Sequence, residues 1–127
     1  MANARDITGV AGEKVAERFL RKRGCRILER RYRTPVGEID LIARDGTTVV
    51  FIEVKTQSSD ALLDPERRVT KSKQAKLSRA AAWYVQKMAL QNNILRFDVV
   101  TVLFGVAKQP PDVQHFPAAF VPTDWPH

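Results

Sequence analysis

The sequence predicts a single α/β domain, a mixed β-sheet flanked by helices in the order α-β-β-β-α-β. Three observations predict it. Two segments carry apolar residues at helical spacing. Four segments have strand character. The stretch "GEIDLIARDGTTVVFIEVK", Gly37 to Lys55, divides into two of these strands around Asp45-Gly46, a dipeptide that favours tight turns. A chain of 127 residues suits one compact domain with one core.

The elements follow in order. Residues 8 to 23 form a helix whose stripe is Val15, Ala16, Phe19 and Leu20, with Gly24 as its stop. Residues 26 to 33, "RILERRYR", form a strand with Ile27 and Tyr32 as apolar contacts. The hairpin occupies residues 37 to 44 and 47 to 55. Residues 56 to 67 read as a loop. A second helix runs from about Val69 to Gln91, with Leu77, Ala81, Tyr84 and Met88 inward. "LRFDVVTVLF", residues 95 to 104, is rich in β-branched and aromatic residues and reads as a strand. From about residue 105 the tail holds five of the seven prolines and suits a surface wrap, with a short edge strand near "HFPAAF".

Composition narrows the setting. Hydrophobic residues make up 44% of the chain, as in globular domains. No apolar run reaches the length of a membrane span, and "MANARDITG" lacks a signal pattern. Cys25 is the only cysteine, which excludes an internal disulfide and a cysteine-based zinc site. The expected setting is the reducing cytoplasm. The net charge is +7. The excess gathers in Arg18 to Arg33 and again in Lys71, Lys73, Lys76 and Arg79, a pattern that suits a polyanion.

The hairpin holds charges where a core would be expected. With Asp45-Gly46 as the two turn residues, Arg44 faces Thr47, Asp40 faces Phe51 and Glu38 faces Glu53. Alternate residues along a strand share a face. Glu38, Asp40, Glu53 and Lys55 then lie on one side, and Ile39, Leu41, Val50, Ile52 and Val54 lie on the other, against the core. Crowded carboxylates repel, and burying them costs several kcal/mol per ion unless they are paired. A divalent cation such as Mg²⁺ relieves this, taking one or two carboxylates plus water and phosphate oxygens. Lys55 would stand beside it, on the water or the phosphate.

These residues resemble the PD-(D/E)xK nuclease superfamily, in which an Asp on one strand and a Glu-x-Lys on the next hold the catalytic metal. "VGEIDLIA", "VVFIEVKT" and "AGEKVAERFLRKRGCRILERRYR" together resemble the YraN-like family of small bacterial proteins, itself similar to archaeal Holliday junction resolvases. The resemblance runs from about Gly9 to Phe104. It implies a restriction-endonuclease-like domain. Gly-Glu-Ile-Asp stands where the superfamily has Pro-Asp. By this match Asp40 and Glu53 are the metal ligands and Lys55 the catalytic lysine. Glu13 matches an N-terminal helix glutamate that often joins such sites. Gln74 sits one turn before Leu77 on the inward stripe, where related nucleases often carry a glutamine.

The implied activity is hydrolysis of DNA, including branched or structured DNA, with Mg²⁺ or Mn²⁺. Arg30, Arg31, Arg33, Lys71 and Lys73 would grip the backbone. The alternative is a nucleic-acid-binding module on a nuclease fold with little or no catalysis. Asp98, inside an apolar strand, is expected to pair with a nearby basic residue. His115 and His127 are given no catalytic role. Both a monomer and a homodimer remain open.

Overall fold

The computed structural model describes residues 4–57, 69–105 and 109–121. Helix α1 spans Ala4–Lys22, and strands β1 (Arg26–Thr34), β2 (Gly37–Asp45) and β3 (Thr48–Gln57) follow. Helix α2 (Lys71–Lys87), strand β4 (Ile94–Leu103) and strand β5 (Asp112–Phe116) complete the order. The predicted α-β-β-β-α-β order is the observed one, with β5 added at the end. The sheet has five strands in the order β1-β2-β3-β4-β5. Its pairs are antiparallel except β3 with β4, which run parallel.

Local chemistry sets the element ends. Gly24 adopts φ +94°, and the Cys25 N–H donates to the Leu20 carbonyl at 3.0 Å, closing α1 with a left-handed cap. Thr70 caps α2 by accepting the Lys73 N–H at 3.1 Å. Helix α2 ends at Lys87, so Met88 lies beyond its inward stripe and is exposed rather than buried.

The sheet is covered on both faces. Leu41, Ala43, Val50, Ile52, Val100 and Val102 pack with Ala16 and Leu20 of α1. Ile39, Ile42, Val49, Phe51, Phe97 and Val99 pack with Leu77, Ala81 and Tyr84 of α2. This corrects the expectation of one apolar face on the hairpin. Between two helices, both alternating sets of β3 must be apolar, as in other doubly covered sheets.

The hairpin register is also corrected. Asp45 pairs with Thr48 and Leu41 with Ile52, so β3 is shifted by two residues from the expected pairing. Gly46, at φ +61°, is the first residue of the two-residue turn rather than the second, as a type II′ turn requires. A shift of two keeps every side chain on its face, so Asp40, Glu53 and Lys55 still share one. It brings Asp40 level with Glu53 and leaves Glu38 further out.

The tail strand β5 starts a little before "HFPAAF", takes in its first two residues, and places His115 inward. Asp98 is buried at 1% exposure. It accepts from Arg96 Nε at 2.8 Å, Arg96 Nη2 at 3.0 Å and the Ala118 N–H at 2.9 Å. His115 Nε2 lies 2.7 Å from its other side. Burial alone would push the Asp98 carboxyl up. The hydrogen bonds from His115, Arg96 and Ala118 outweigh it and hold the group below its ordinary value. The expected partnership with a basic residue is therefore met, by Arg96.

Asp98→Ala should destabilise the protein by about 3–5 kcal/mol, because it strands the buried His115 imidazole and leaves the half-buried Arg96 with Asp45 alone. Arg33→Ala, at an exposed pair, should change stability by less than about 1 kcal/mol. Urea unfolding of the two variants checks the contrast, and equal losses would count against a structural role for the buried network.

Candidate active site

The ladder between β2 and β3 stops at Leu41 and Ile52. Beyond it the strands splay, and the Asp40 carboxylate takes the place of a ladder acceptor. Its Oδ2 accepts the Val54 N–H at 2.8 Å. The neighbouring β1 also departs from regularity. Arg31 has φ +44°, so Arg30 and Arg31 both reach α1 while Tyr32 turns to the α2 face. On β2 the same divergence sends Ile39 to the α2 cluster and Leu41 to the α1 cluster, with Asp40 between them.

Glu53 is 6% exposed. Lys55 Nζ stands 3.5 Å and Lys73 Nζ 3.8 Å from the same carboxylate oxygen, Oε1. Both are long for hydrogen bonds and are better described as loose charge neighbours. Asp40 has no such lysine pair among the described residues. Burial pushes its carboxyl up to about 7, and the Glu53 charge pushes the same way. The Val54 N–H opposes this, Glu13 adds to it, and Lys73 opposes it again. Glu53, Glu13 and Lys73 therefore all act on Asp40.

The other predicted residues are placed as follows. Glu13 is held by Arg31, with Nε to Oε1 at 2.6 Å and Nη2 to Oε2 at 3.4 Å. Arg30 forms the same two-point contact with Glu17, and Arg33 meets Glu38 at 3.3 Å. These three of the four β1 arginines thus each have a carboxylate partner. Gln74 donates its side-chain amide to the Val69 carbonyl at 2.9 Å, fixing the approach to α2. Lys71 and Lys73 are exposed on the first turn of α2. Tyr32, half-buried, and Tyr84, buried, contact each other edge to face at 4.9 Å. His127 lies outside the described residues.

Gly12 is a positioning residue the sequence did not single out. A Cβ built on it would overlap the Thr56 hydroxyl and meet Thr56 Cβ and Cγ2 at 3.0 Å. The missing side chain lets α1 sit close over the end of β3, one residue before Glu13. Only its place before Glu13 in "AGEKVAERF" could have pointed to it.

A divalent cation fits the charge of this site. Glu53 is buried and Asp40 half-buried level with it, and burial together with the Glu53 charge raises the Asp40 carboxyl to about 7. Among the described residues no three His, Cys, Asp or Glu side chains converge into a ready metal cage.

The family model described as "Uncharacterised protein family UPF0102" matches residues 12–102. A UPF0102 protein of Desulfosudis oleivorans is 49% identical over 102 residues, covering 80% of this chain and 83% of that protein. One from Caldicellulosiruptor saccharolyticus is 41% identical over 118 residues, covering 93% of this chain and 99% of the relative. One from Pelotomaculum thermopropionicum is 36% identical over 120 residues, covering 94% and 100%.

Asp40 generates a pH dependence of definite sign. The folded state holds its proton more tightly than the unfolded state, so stability from this group is greatest below the ordinary value of 3.8 and is lost as pH rises through about 7. In EDTA, wild-type melting temperature should carry a falling component between about pH 4 and 7 that Asp40→Asn removes. Mn²⁺ at pH 8 should raise the wild-type melting temperature and leave the variant unmoved. Parallel pH curves for the two proteins would reject this assignment. Separately, Gly12→Ala should lower stability by about 1–3 kcal/mol through overpacking, and adding Thr56→Ala should recover part of the loss.

Proposed function

We propose that this chain, which belongs to the UPF0102 family, is a Mg²⁺- or Mn²⁺-dependent endonuclease that hydrolyses phosphodiester bonds in DNA, including branched or structured DNA. The observation that carries the reading is the Asp40–Glu53 pair. Stability alone gives little reason to set a half-buried carboxylate level with a buried one, where each adds to the cost of charging the other. Asp40 and Glu53 would hold the metal, which when bound supplies Lewis-acid polarisation of the phosphate and a lower pKa for its water.

The chain's own residues do the rest. The Val54 N–H fixes the Asp40 carboxylate on one oxygen and leaves the other available. Lys55 stands on the same face as Glu53 and is only partly buried, so its ammonium can meet a phosphate oxygen or orient an attacking water. A protonated lysine has no lone pair for a metal, so its work lies on the water or the phosphate. Arg31 holds Glu13 at the margin of the site, where it adds negative charge near Asp40.

The DNA backbone is best served by α2. No described carboxylate pairs with Lys71, Lys76 or Arg79, and all three are exposed. Lys73 continues this group to Glu53. The β1 arginines add less net charge, because Glu13, Glu17 and Glu38 accompany them. The reaction needs one copy of the set, so a homodimer would serve to present two sets to a branched substrate. Among the described residues no helix is long and apolar enough to cross a membrane. A free Cys25 agrees with the cytoplasmic setting proposed here.

A second reading is a nucleic-acid-binding module with little or no catalysis. Its support is that Lys55 and Lys73 already flank Glu53, so the lysine could serve as electrostatic scaffolding.

A cleavage screen over linear, flapped and four-way DNA with Mg²⁺ or Mn²⁺ separates the two. The nuclease reading expects cutting that Lys55→Ala lowers by at least about a hundred-fold, the scale on which a group acting mainly in the transition state contributes, with metal binding kept. No cutting of any substrate, together with tight binding, selects the module. Changing Lys71, Lys76 and Arg79 to Ala should flatten the salt dependence of DNA binding more than changing Arg30, Arg31 and Arg33. Each phosphate that goes unneutralised should reduce the slope by about one unit. The reverse order would move the DNA face to β1.

A further inference from the structure

A cavity of about 280 Å³ opens between α1 and β1, lined by Val10, Glu13, Lys14, Glu17, Arg30, Arg31 and Leu41. It adjoins the candidate active site, since Glu13 and Arg31 belong to both. We propose that it takes one unstacked nucleobase of the DNA substrate, next to the phosphate to be cut. This rests on the nuclease reading and deepens it, because it supplies a reason to prefer DNA with unpaired nucleotides.

The chemistry of the walls selects the occupant. A firmly held phosphate would need several free cationic donors. Here the Arg30 and Arg31 guanidiniums are already engaged, each in a two-point contact with a glutamate, and among the described residues only the exposed Lys14 of the lining stands without a carboxylate partner. With two acids against three bases, the lining is close to neutral. It therefore suits an uncharged group better than an anion. A guanidinium held in plane by a carboxylate presents a flat, weakly hydrated face, and unstacked bases stack on such faces. Val10 at the rim and Leu41 at the floor add apolar contact. The outer lone pairs of Glu13 and Glu17 can accept from the amino groups on a base edge.

Size points the same way. The volume is just below the range of roughly 300–1,000 Å³ typical of small-molecule clefts. One base with part of its sugar fits such a volume. Val10 is 36% exposed, so the mouth opens to solvent at the helix end nearest the site.

The test is equilibrium binding of the full chain in EDTA, where no cutting occurs. Three duplexes are compared: uninterrupted, with a one-nucleotide bulge, and with an abasic bulge of the same backbone. The bulge bearing a base should bind about ten-fold more tightly than the abasic bulge, the magnitude of one base–planar stacking contact. Val10→Trp, which fills the mouth, should abolish that ratio. Equal affinity for base and abasic bulges overturns the proposal, and the wild-type comparison alone decides this if the variant fails to fold. A base preference without cleavage in Mg²⁺ keeps the slot and removes the nuclease. Cleavage without a base preference keeps the nuclease and removes the slot. Absence of binding to all three duplexes removes the slot.

Discussion

The 2.8 Å hydrogen bond from the Val54 N–H to Asp40 Oδ2 is the interaction on which the site depends. A strand that simply ended would leave that N–H buried and unpaired, at a cost of about 1–3 kcal/mol. A carboxylate standing in for the ladder satisfies it and frees β2 to diverge. The divergence lets Ile39 cross to the α2 cluster while Leu41 stays with α1. It also opens the gap in which Asp40 and Glu53 meet. One side chain thus completes the sheet and starts the charged site, which explains how so small a domain tolerates both.

Helix placement follows from the same opening. The middle of α1 and the first turn of α2 approach the end of β3, α1 through the close approach of Gly12 to Thr56 and α2 through Lys73 beside Glu53. Each brings a charge of opposite sign. Glu13 raises the proton affinity of Asp40, and Lys73 lowers it. The site is a balance of charges carried by four separate elements. The buried Asp98–Arg96–His115 group is a second polar network, under α1, and it ties β5 and the turn after it to the sheet.

Much of this was legible in the sequence. Periodicity located both helices and the four main strands, and parity along the hairpin put Asp40, Glu53 and Lys55 on one face whichever even register formed. The register itself was not legible, because Asp45-Gly46 suits two turn types that differ in where glycine sits. That error put Glu38 opposite Glu53, where Asp40 belongs. Pairing partners of the β1 arginines were hidden too. Their glutamates lie on α1, thirteen and eighteen positions away in the chain, and only the backbone irregularity at Arg31 turns both arginines toward them. His115 looked idle in a proline-rich tail because its partner, Asp98, is contributed by a neighbouring strand.

Strand β1 stands at the margin of the sheet with no neighbour on its outer side among the described residues. Such a margin is a template for aggregation by edge-to-edge strand addition. Its central residues are Arg30 and Arg31, with Arg26 and Arg33 towards the ends. A second copy laid antiparallel across it would set arginine against arginine near the middle, and the kink at Arg31 would break the run of hydrogen bonds. The feature that carries two guanidiniums toward α1 therefore also guards the molecule against polymerising through its own sheet.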